Sequence, residues 1–498
     1  MTGPPAGQQP AGSPPAGSPP AGSPAVRAWH AELAWLPGVG VLPDVLIAAA
    51  GDRFTSITPR VARSEAPAGA VRLAGLTMPA LANAHSHAFH RALRGITQAG
   101  RGTFWTWRDR MYQVAARLDP DSYLALARAL YAEMALAGIG CVGEFHYLHH
   151  GPDGVRYADQ NAMGRALIEA AAQAGLRITL LDACYLSGGL DRAGWSLELT
   201  GPQLRFGDGT AEGWAQRVDL LGADEYGALG PAARLGAAIH SVRAVPPDQM
   251  HQVVAWSGRC GAPLHAHLSE QVAENEACLA AYRSTPAAVL YDAGVLGPRT
   301  SVVHATHLTA ADIRLLGGSE TFACLCPTTE ADLADGIGPF AALAQAGCRL
   351  TVGSDSQAVV DLFEETRRIE MYQRLAGRER GNFTAEALGT AVTWDGHASL
   401  GWPDAGEIAP GSLADLVTVG LDSPRLAGLA VGGPATVGGP AADGDPDLAV
   451  LGAVIFAATS ADVRNMVIGG RDVVADGRHL LVDDVPAALA AAVRDVLG

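Results

Sequence analysis

The sequence predicts an α/β protein, a (β/α)8 TIM barrel with a small β-sandwich domain built from both terminal segments. Three observations carry this expectation. Between about residues 78 and 400, short apolar runs alternate with Ala-rich helical stretches, the rhythm of a parallel sheet. Eight such runs can be counted, and residues that bind metals or move protons recur at their C-terminal ends, where a barrel carries its site. Short β-like runs with Gly and Pro turns stand on either side of them, in 26–77 and 401–485.

In chain order, residues 1–24 repeat a short Pro/Ala/Gly/Ser unit that cannot bury a core and is expected to be disordered. They lack the charged start and apolar centre of a secretion signal. RAWHAELAWLP and DVLIAAAGDRFTSITP follow, and they are expected to pair with GEIAPGSLADLVTVGLD and ADVRNMVIGGRDVVADGRHL near the other end, bracketing the barrel of residues 78–400. The eight barrel runs are LTMPALANAHSH, GIGCVGEFHYL, RITLLDACYL, RLGAAIHSVRAV, APLHAHLSE, TSVVHATHL, TFACLCPTTE and RLTVGSDS. Among the segments between them, DPDSYLALARALYAEMALAG has Asp or Ser at its start, helical apolar spacing and a final Gly, as a helix should. Residues 187–235 read as an irregular, Gly-rich insertion after the third strand, expected to cover or line a pocket.

Composition excludes several classes of function. A formal net charge of −16 with no basic stripe argues against nucleic acid as a partner. No apolar run reaches the length of a membrane span. Seven cysteines without a framework suggest reduced thiols and a cytoplasmic protein, with Cys324 and Cys326 packed on one strand face. All 35 basic residues are arginines, so Schiff-base chemistry, a phosphate-loop lysine and a carboxylated lysine bridging two metals are unavailable.

The candidate site is His85 and His87, then His267 with Glu270, then His304, then Asp355. An isolated HxH pair carries little weight. Here it is joined by a His with an acidic partner, a third His and a GSD, each ending a separate strand-like run, as a barrel holding a divalent cation at its mouth requires.

With MPALANAHSHAFHRALRG, FWTWRDRMY, EFHYLHH, HSVRAV, HAHLSEQ, VVHATHL, TTEADLADG and GSDS in place, the chain resembles the amidohydrolase superfamily. Within it, FWTWR, EFHYLHH and HSVRAV are similar to the formimidoylglutamate deiminases of histidine degradation, and the resemblance runs from residue 26 to the C-terminus. It implies one Zn2+ per chain, held by His85, His87, His267 and Asp355, with a coordination position left for water. It also implies that Asp355 takes the proton of that water, that His304 orients it and stabilises developing charge, and that Glu270 carries protons to the leaving nitrogen. His90, Arg108, Tyr147, His240 and Arg243 are the implied substrate contacts, two arginines for the two carboxylates of a small-molecule dicarboxylate. The implied activity is hydrolytic deimination of N-formimino-L-glutamate to N-formyl-L-glutamate and ammonia by a homodimer. Two departures bear on substrate choice: His90 stands where the family has Gln, and Leu204 replaces an arginine beside the retained Arg205. The alternatives are a deaminase of another amidine, a guanidine or an aminated heterocycle, and a non-catalytic binding protein on the same scaffold.

Overall fold

The computed structural model describes residue 3 and residues 26–99, 101–191, 193–223, 229–428 and 446–498. Apart from residue 3, the predicted N-terminal tail lies outside the described residues.

The chain first forms β1 (Val26–Leu36), β2 (Gly40–Ala50), β3 (Arg53–Thr58) and β4 (Val71–Pro79). Next come β5 (Leu81–Ser86), β6 (Ile139–His146), β7 (Arg177–Cys184) and the short hairpin β8 (Gly189–Leu190) and β9 (Ser196–Leu197). The strands β10 (Ala233–Ile239), β11 (Leu264–Leu268), β12 (Thr300–His304), β13 (Phe322–Leu325) and β14 (Leu350–Val352) follow. β15 (Leu416–Val419), β16 (Val463–Ile468), β17 (Arg471–Ala475) and β18 (Arg478–His479) complete the set.

β5, β6, β7 and β10 to β14 lie side by side in one all-parallel, eight-stranded sheet with helices between them. It closes into a (β/α)8 barrel where Ser86 bridges to Asp355: the Asp355 amide donates to the His85 carbonyl at 3.0 Å, and the His87 amide donates to the Asp355 carbonyl at 3.4 Å. Closure needs a glycine, because a Cβ at Gly353 would stand 2.7 Å from the His85 Cβ and 2.8 Å from its carbonyl oxygen. The seam of the barrel therefore coincides with the candidate ligands.

The terminal segments share a second sheet, in the order β18-β17-β16-β15-β4-β1-β2-β3. β4 joins the two ends of the chain, running parallel to β1 and antiparallel to β15. Trp29, Ala31, Val45, Ile47, Phe54, Leu73, Leu416 and Val467 give this sheet an apolar core of its own, while Leu33, Trp35 and Leu76 belong to the main core shared with the barrel. The C-terminal segment is not all β. Its helix Val485–Leu497 packs on Pro120–Leu136, burying Val485 and Leu489 against Ala129 and Ala132.

Arg177, at the start of β7, ties the barrel to the terminal sheet: its Nε and Nη2 donate to both oxygens of Asp415 at 2.6 and 3.0 Å, and both residues are buried. Removing one partner of such a pair strands the other charge in a low dielectric. Arg177→Met should therefore lower unfolding stability by about 3–5 kcal/mol in denaturant titration; a change below about 1 kcal/mol would show that Asp415 finds another partner or stays neutral.

The helix read from DPDSYLALARALYAEMALAG forms as Pro120–Leu136, with Asp119 accepting from the Ser122 amide at 2.8 Å as its cap. Residues 187–235 depart from the expectation of an irregular insertion. The first part is the β8–β9 hairpin and a short 3-10 turn, but Ala211–Gly222 is a regular barrel helix capped by Thr210. Its buried face, Trp214, Val218 and Leu221, follows the helical period inside a stretch whose flanking glycines suggested loop. The cysteines among the described residues carry no disulfide, and all but Cys260 are buried. No helix among the described residues is long and apolar enough to cross a membrane.

Candidate active site

His85, His87, His267 and Asp355 converge at the C-terminal end of the barrel from β5, the residue after it, β11 and the turn after β14. One ligand atom from each lies within 4.8 Å of the others, and all four residues are buried. His85 Nε2 is 3.3 Å and His87 Nε2 3.4 Å from Asp355 Oδ1, and His267 Nε2 is 3.1 Å from His85 Nε2.

Backbone carbonyls set the rings. His87 Nδ1 donates to the Phe145 carbonyl at 2.9 Å and His267 Nδ1 to the His240 carbonyl at 2.8 Å, which leaves each Nε2 lone pair facing the cluster. Burial pulls the pKa of all three imidazoles down, so they stand neutral. Burial alone would raise the Asp355 carboxyl, but the hydrogen bond with His85 and the charge of His304 outweigh it and hold the acid well below its usual range. Three neutral imidazoles and one carboxylate, two of the rings held from behind by backbone carbonyls while His85 Nδ1 has no hydrogen-bond partner, are the donor set of a divalent-cation site.

A polar layer beneath fixes the seam. Asn83 donates to Ser354 Oγ at 2.7 Å and accepts from its amide at 2.9 Å, Gln357 Nε2 donates to Ser86 Oγ at 2.9 Å, and Glu144 accepts from Ser86 Oγ and the Ala88 amide at 2.8 and 2.6 Å. Burial pushes the Glu144 carboxyl up to about 7.

Beside the cluster, His304 places Nε2 3.8 Å from Glu270 Oε1 and donates from Nδ1 to Glu330 Oε1 at 3.3 Å. Burial disfavours the imidazolium, yet Glu270, Glu330 and Asp355 together overcome it and raise the His304 pKa well above normal. Burial, aided by Asp355 and Glu274, pushes Glu270 up to about 7 against the pull of His304 and Arg243. The backbone here is left-handed at Ser269, His304, Ala305 and Asp355, with φ of 52°, 70°, 52° and 40°. Non-glycine residues adopt such angles uncommonly, and here four of them fall together at the ends of the barrel strands.

These groups open on a cavity that brings together His87, His90, Arg108, Tyr147, His240, Arg243, His267, Glu270, His304 and Asp355. His85 lies just beneath, fully buried. His90 Nε2 and the Tyr147 hydroxyl are 3.1 Å apart, and burial lowers His90 to about 3, so it stands neutral. Arg108, on the helix Phe104–Ala115, stacks 4.4 Å from the Trp105 ring centroid and 5.6 Å from that of Tyr112, and its buried Nε has no hydrogen-bond partner. Arg243 is half-buried in the cavity wall and makes no hydrogen bond or ion pair among the described residues, while nearby Tyr185, Glu274 and Glu270 raise its pKa against desolvation.

Sequence reasoning missed the aromatic wall of this cavity, Phe104, Trp107, Tyr112, Tyr185 and Phe206. FWTWR offered a signal, since aromatics bunched around an arginine suit a pocket. The departure at Leu204 does not reach the cavity: Leu204 is 36% exposed, and Arg205 donates to the carbonyls of His150, Ala115 and Leu118, clamping the helix that carries Arg108. A second buried group, His146, His149 and Asp182, also has its ligand atoms close together. Arg217 already serves both oxygens of Asp182 at 2.9 and 2.8 Å and bonds Asp208, so the carboxylate of this group is taken up by an arginine, while the Nδ1 atoms of His146 and His149 are buried without a hydrogen-bond partner.

Comparison with known proteins agrees with this geometry. The Amidohydrolase family model matches residues 76–473. Formimidoylglutamate deiminase of Pseudomonas aeruginosa is 37% identical over 421 residues, 82% of this chain and 87% of that protein. The crystal structure of an amidohydrolase from Brucella melitensis superposes with a TM-score of 0.82 at 32% identity, covering 95% of this chain and all (100%) of that one. An adenosine deaminase from Xanthomonas campestris, solved with bound zinc, shares the fold with a TM-score of 0.77 at 24% identity over 95% of this chain and 98% of its own. The chain is therefore a member of the amidohydrolase family, a hydrolase acting on C–N bonds.

Proposed function

We propose that the protein hydrolyses N-formimino-L-glutamate to N-formyl-L-glutamate and ammonia, with one zinc ion per chain held by His85, His87, His267 and Asp355. The observation that carries the reading is the pair Arg108 and Arg243, two guanidiniums without carboxylate partners among the described residues, in the same cavity as Glu270, His304 and Asp355. Half-buried guanidiniums that line a cavity without an anion are ready to bind one, and a dicarboxylate supplies two. The activity named for the Pseudomonas aeruginosa relative supports the same substrate.

When bound, the zinc ion lowers the pKa of water toward neutrality and polarises the reacting group. The chain does the rest. Arg108 and Arg243 hold the carboxylates, Tyr147, His90 and His240 line the cavity around the formimino group, and the aromatic wall limits access of bulk water. Asp355 accepts the proton released as water adds to the formimino carbon, and His304 stabilises negative charge there. Glu270, poised near neutral pKa by burial, delivers a proton to the imino nitrogen as water adds. The proton held by Asp355 then passes to the same nitrogen, the C–N bond breaks with release of ammonia, and the hydroxyl of the adduct returns its proton to Glu270 as the carbonyl of the formyl group forms.

The test is ammonia release from N-formimino-L-glutamate by the zinc-loaded protein, with the organic product identified by mass spectrometry. Formyl-glutamate is expected; glutamate with formamide would show cleavage of the other C–N bond and overturn the reading. Metal analysis should find about one tightly held ion, and its removal by a chelator should abolish turnover until zinc is restored. Two tightly held ions would contradict the stoichiometry.

A further inference from the structure

We propose that Glu330 is a positioning residue for the reaction, holding the His304 imidazole through Nδ1 so that Nε2 faces Glu270 and the reacting carbon. The inference rests on the assignment of His304 to catalysis made above, and it adds a residue to which no role has been given.

The geometry supplies three arguments. His304 ends β12 with φ of 70° and is followed by Ala305 with φ of 52°, so its backbone departs from the strand and something must hold the ring where the turn leaves it. What meets the ring on the far side from Glu270 is the Glu330 carboxylate, 3.3 Å from Nδ1, while Nε2 stands 3.8 Å from Glu270. An imidazole between two carboxylates has its tautomer and orientation set by the one it bonds, and a contact slightly long in the free enzyme can tighten when substrate binds.

Glu330 is itself fixed. It lies on the short helix Pro327–Asp332 directly after β13, is 1% exposed, and accepts from the Cys326 amide at 3.1 Å through the same oxygen that meets His304. Its other oxygen, Oε2, is buried without a hydrogen-bond partner. A buried carboxylate is costly without a partner, and the side chain that meets it at close range is His304, 3.3 Å away. Burial raises the Glu330 carboxyl and the bond with His304 partly offsets it.

Glu330→Gln keeps the shape and removes the charge. In the full-length zinc-loaded protein, kcat should fall about 10- to 100-fold, the scale seen when the partner behind a functional imidazole is lost. KM, metal content and thermal unfolding should stay near wild type. In a His304→Asn background the same substitution should cost nothing further, because Glu330 acts through that ring. Unchanged kcat, or a full additional loss in the His304→Asn background, would overturn the proposal. So would loss of a bound metal ion from Glu330→Gln, which would instead assign His304, Cys326 and Glu330 to an ion.

A second readout does not depend on the substrate. The imidazole N–H proton resonance of His304, assigned by its disappearance in His304→Asn, should vanish or move in Glu330→Gln and persist in Glu330→Asp, which retains the charge. A resonance identical in wild type and Glu330→Gln would overturn the proposal. If the wild-type protein releases no ammonia from N-formimino-L-glutamate, the substrate assignment fails, and this resonance still decides the role of Glu330.

Discussion

Replacing Glu270 with glutamine should lower kcat about 10^2- to 10^4-fold, the range typical of losing a positioned proton carrier. Glu270 lies two residues beyond β11, aimed into the cavity by the left-handed turn at Ser269, and its backbone amide donates to Glu274 Oε2 at 3.3 Å. Burial pushes its carboxyl to about 7, so near neutral pH it can both accept a proton and release one. Glutamine fills the same space and can do neither. KM and metal content should stay within about threefold of wild type, because Glu270 is not among the four converging ligands. Steady-state ammonia release together with metal analysis checks this. A variant that keeps a third or more of wild-type kcat would remove Glu270 from proton transfer.

Arg243→Met should act on specificity instead. The Arg243 guanidinium is half-buried at the cavity wall just after β10, and no carboxylate among the described residues bonds it. If it bonds a substrate carboxylate, its loss leaves that charge buried and unpaired, a cost of about 2–5 kcal/mol. In kcat/KM that is a fall of about 30- to 4,000-fold. The decisive comparison uses a substrate analogue with one carboxylate converted to carboxamide. Wild type should discriminate strongly against the analogue whose missing charge faces Arg243, and the variant should discriminate little, since the two changes remove one interaction. Equal discrimination by both proteins would mean that Arg243 bonds no carboxylate.

The parts of the fold most legible in the sequence were those with strong local signals. Eight short apolar runs became eight parallel strands because a strand covered by helices on one face and packed inside a barrel on the other is apolar along its length. The helix Ala211–Gly222 was hidden because its period sits between glycine-rich flanks, and local composition outweighs a three-turn pattern when a sequence is read in windows. The helix Val485–Leu497 was equally uncounted, because the partner that stabilises it, Pro120–Leu136, lies far away in the chain.

Within the site, the sequence marked His85, His87, His267, Glu270, His304 and Asp355 because each ends a strand, and barrel strands all end at one mouth. It could not show that Asp355 closes the barrel against Ser86, or that Gly353 is required for the approach, since both depend on the first and last strands meeting. The aromatic wall was equally hidden, because Tyr185 and Phe206 reach the cavity from one excursion while Phe104, Trp107 and Tyr112 come from a helix far earlier in the chain. The position of Leu204, a departure that bore on substrate choice in the sequence, was equally a matter of the fold: it lies outside the cavity lining, while Arg205 clamps backbone carbonyls.

By itself the sequence indicated the class of fold, because strand period is a property of neighbouring residues, and the resemblance of its motifs to a family implied the ligand set. Only the tertiary structure decided which groups face one another. The contact of Glu330 with His304, the capture of Asp182 by Arg217 and the unpaired guanidiniums of Arg108 and Arg243 all join segments distant in the chain, and electrostatic roles depend on distance and burial, which exist only once the chain has folded.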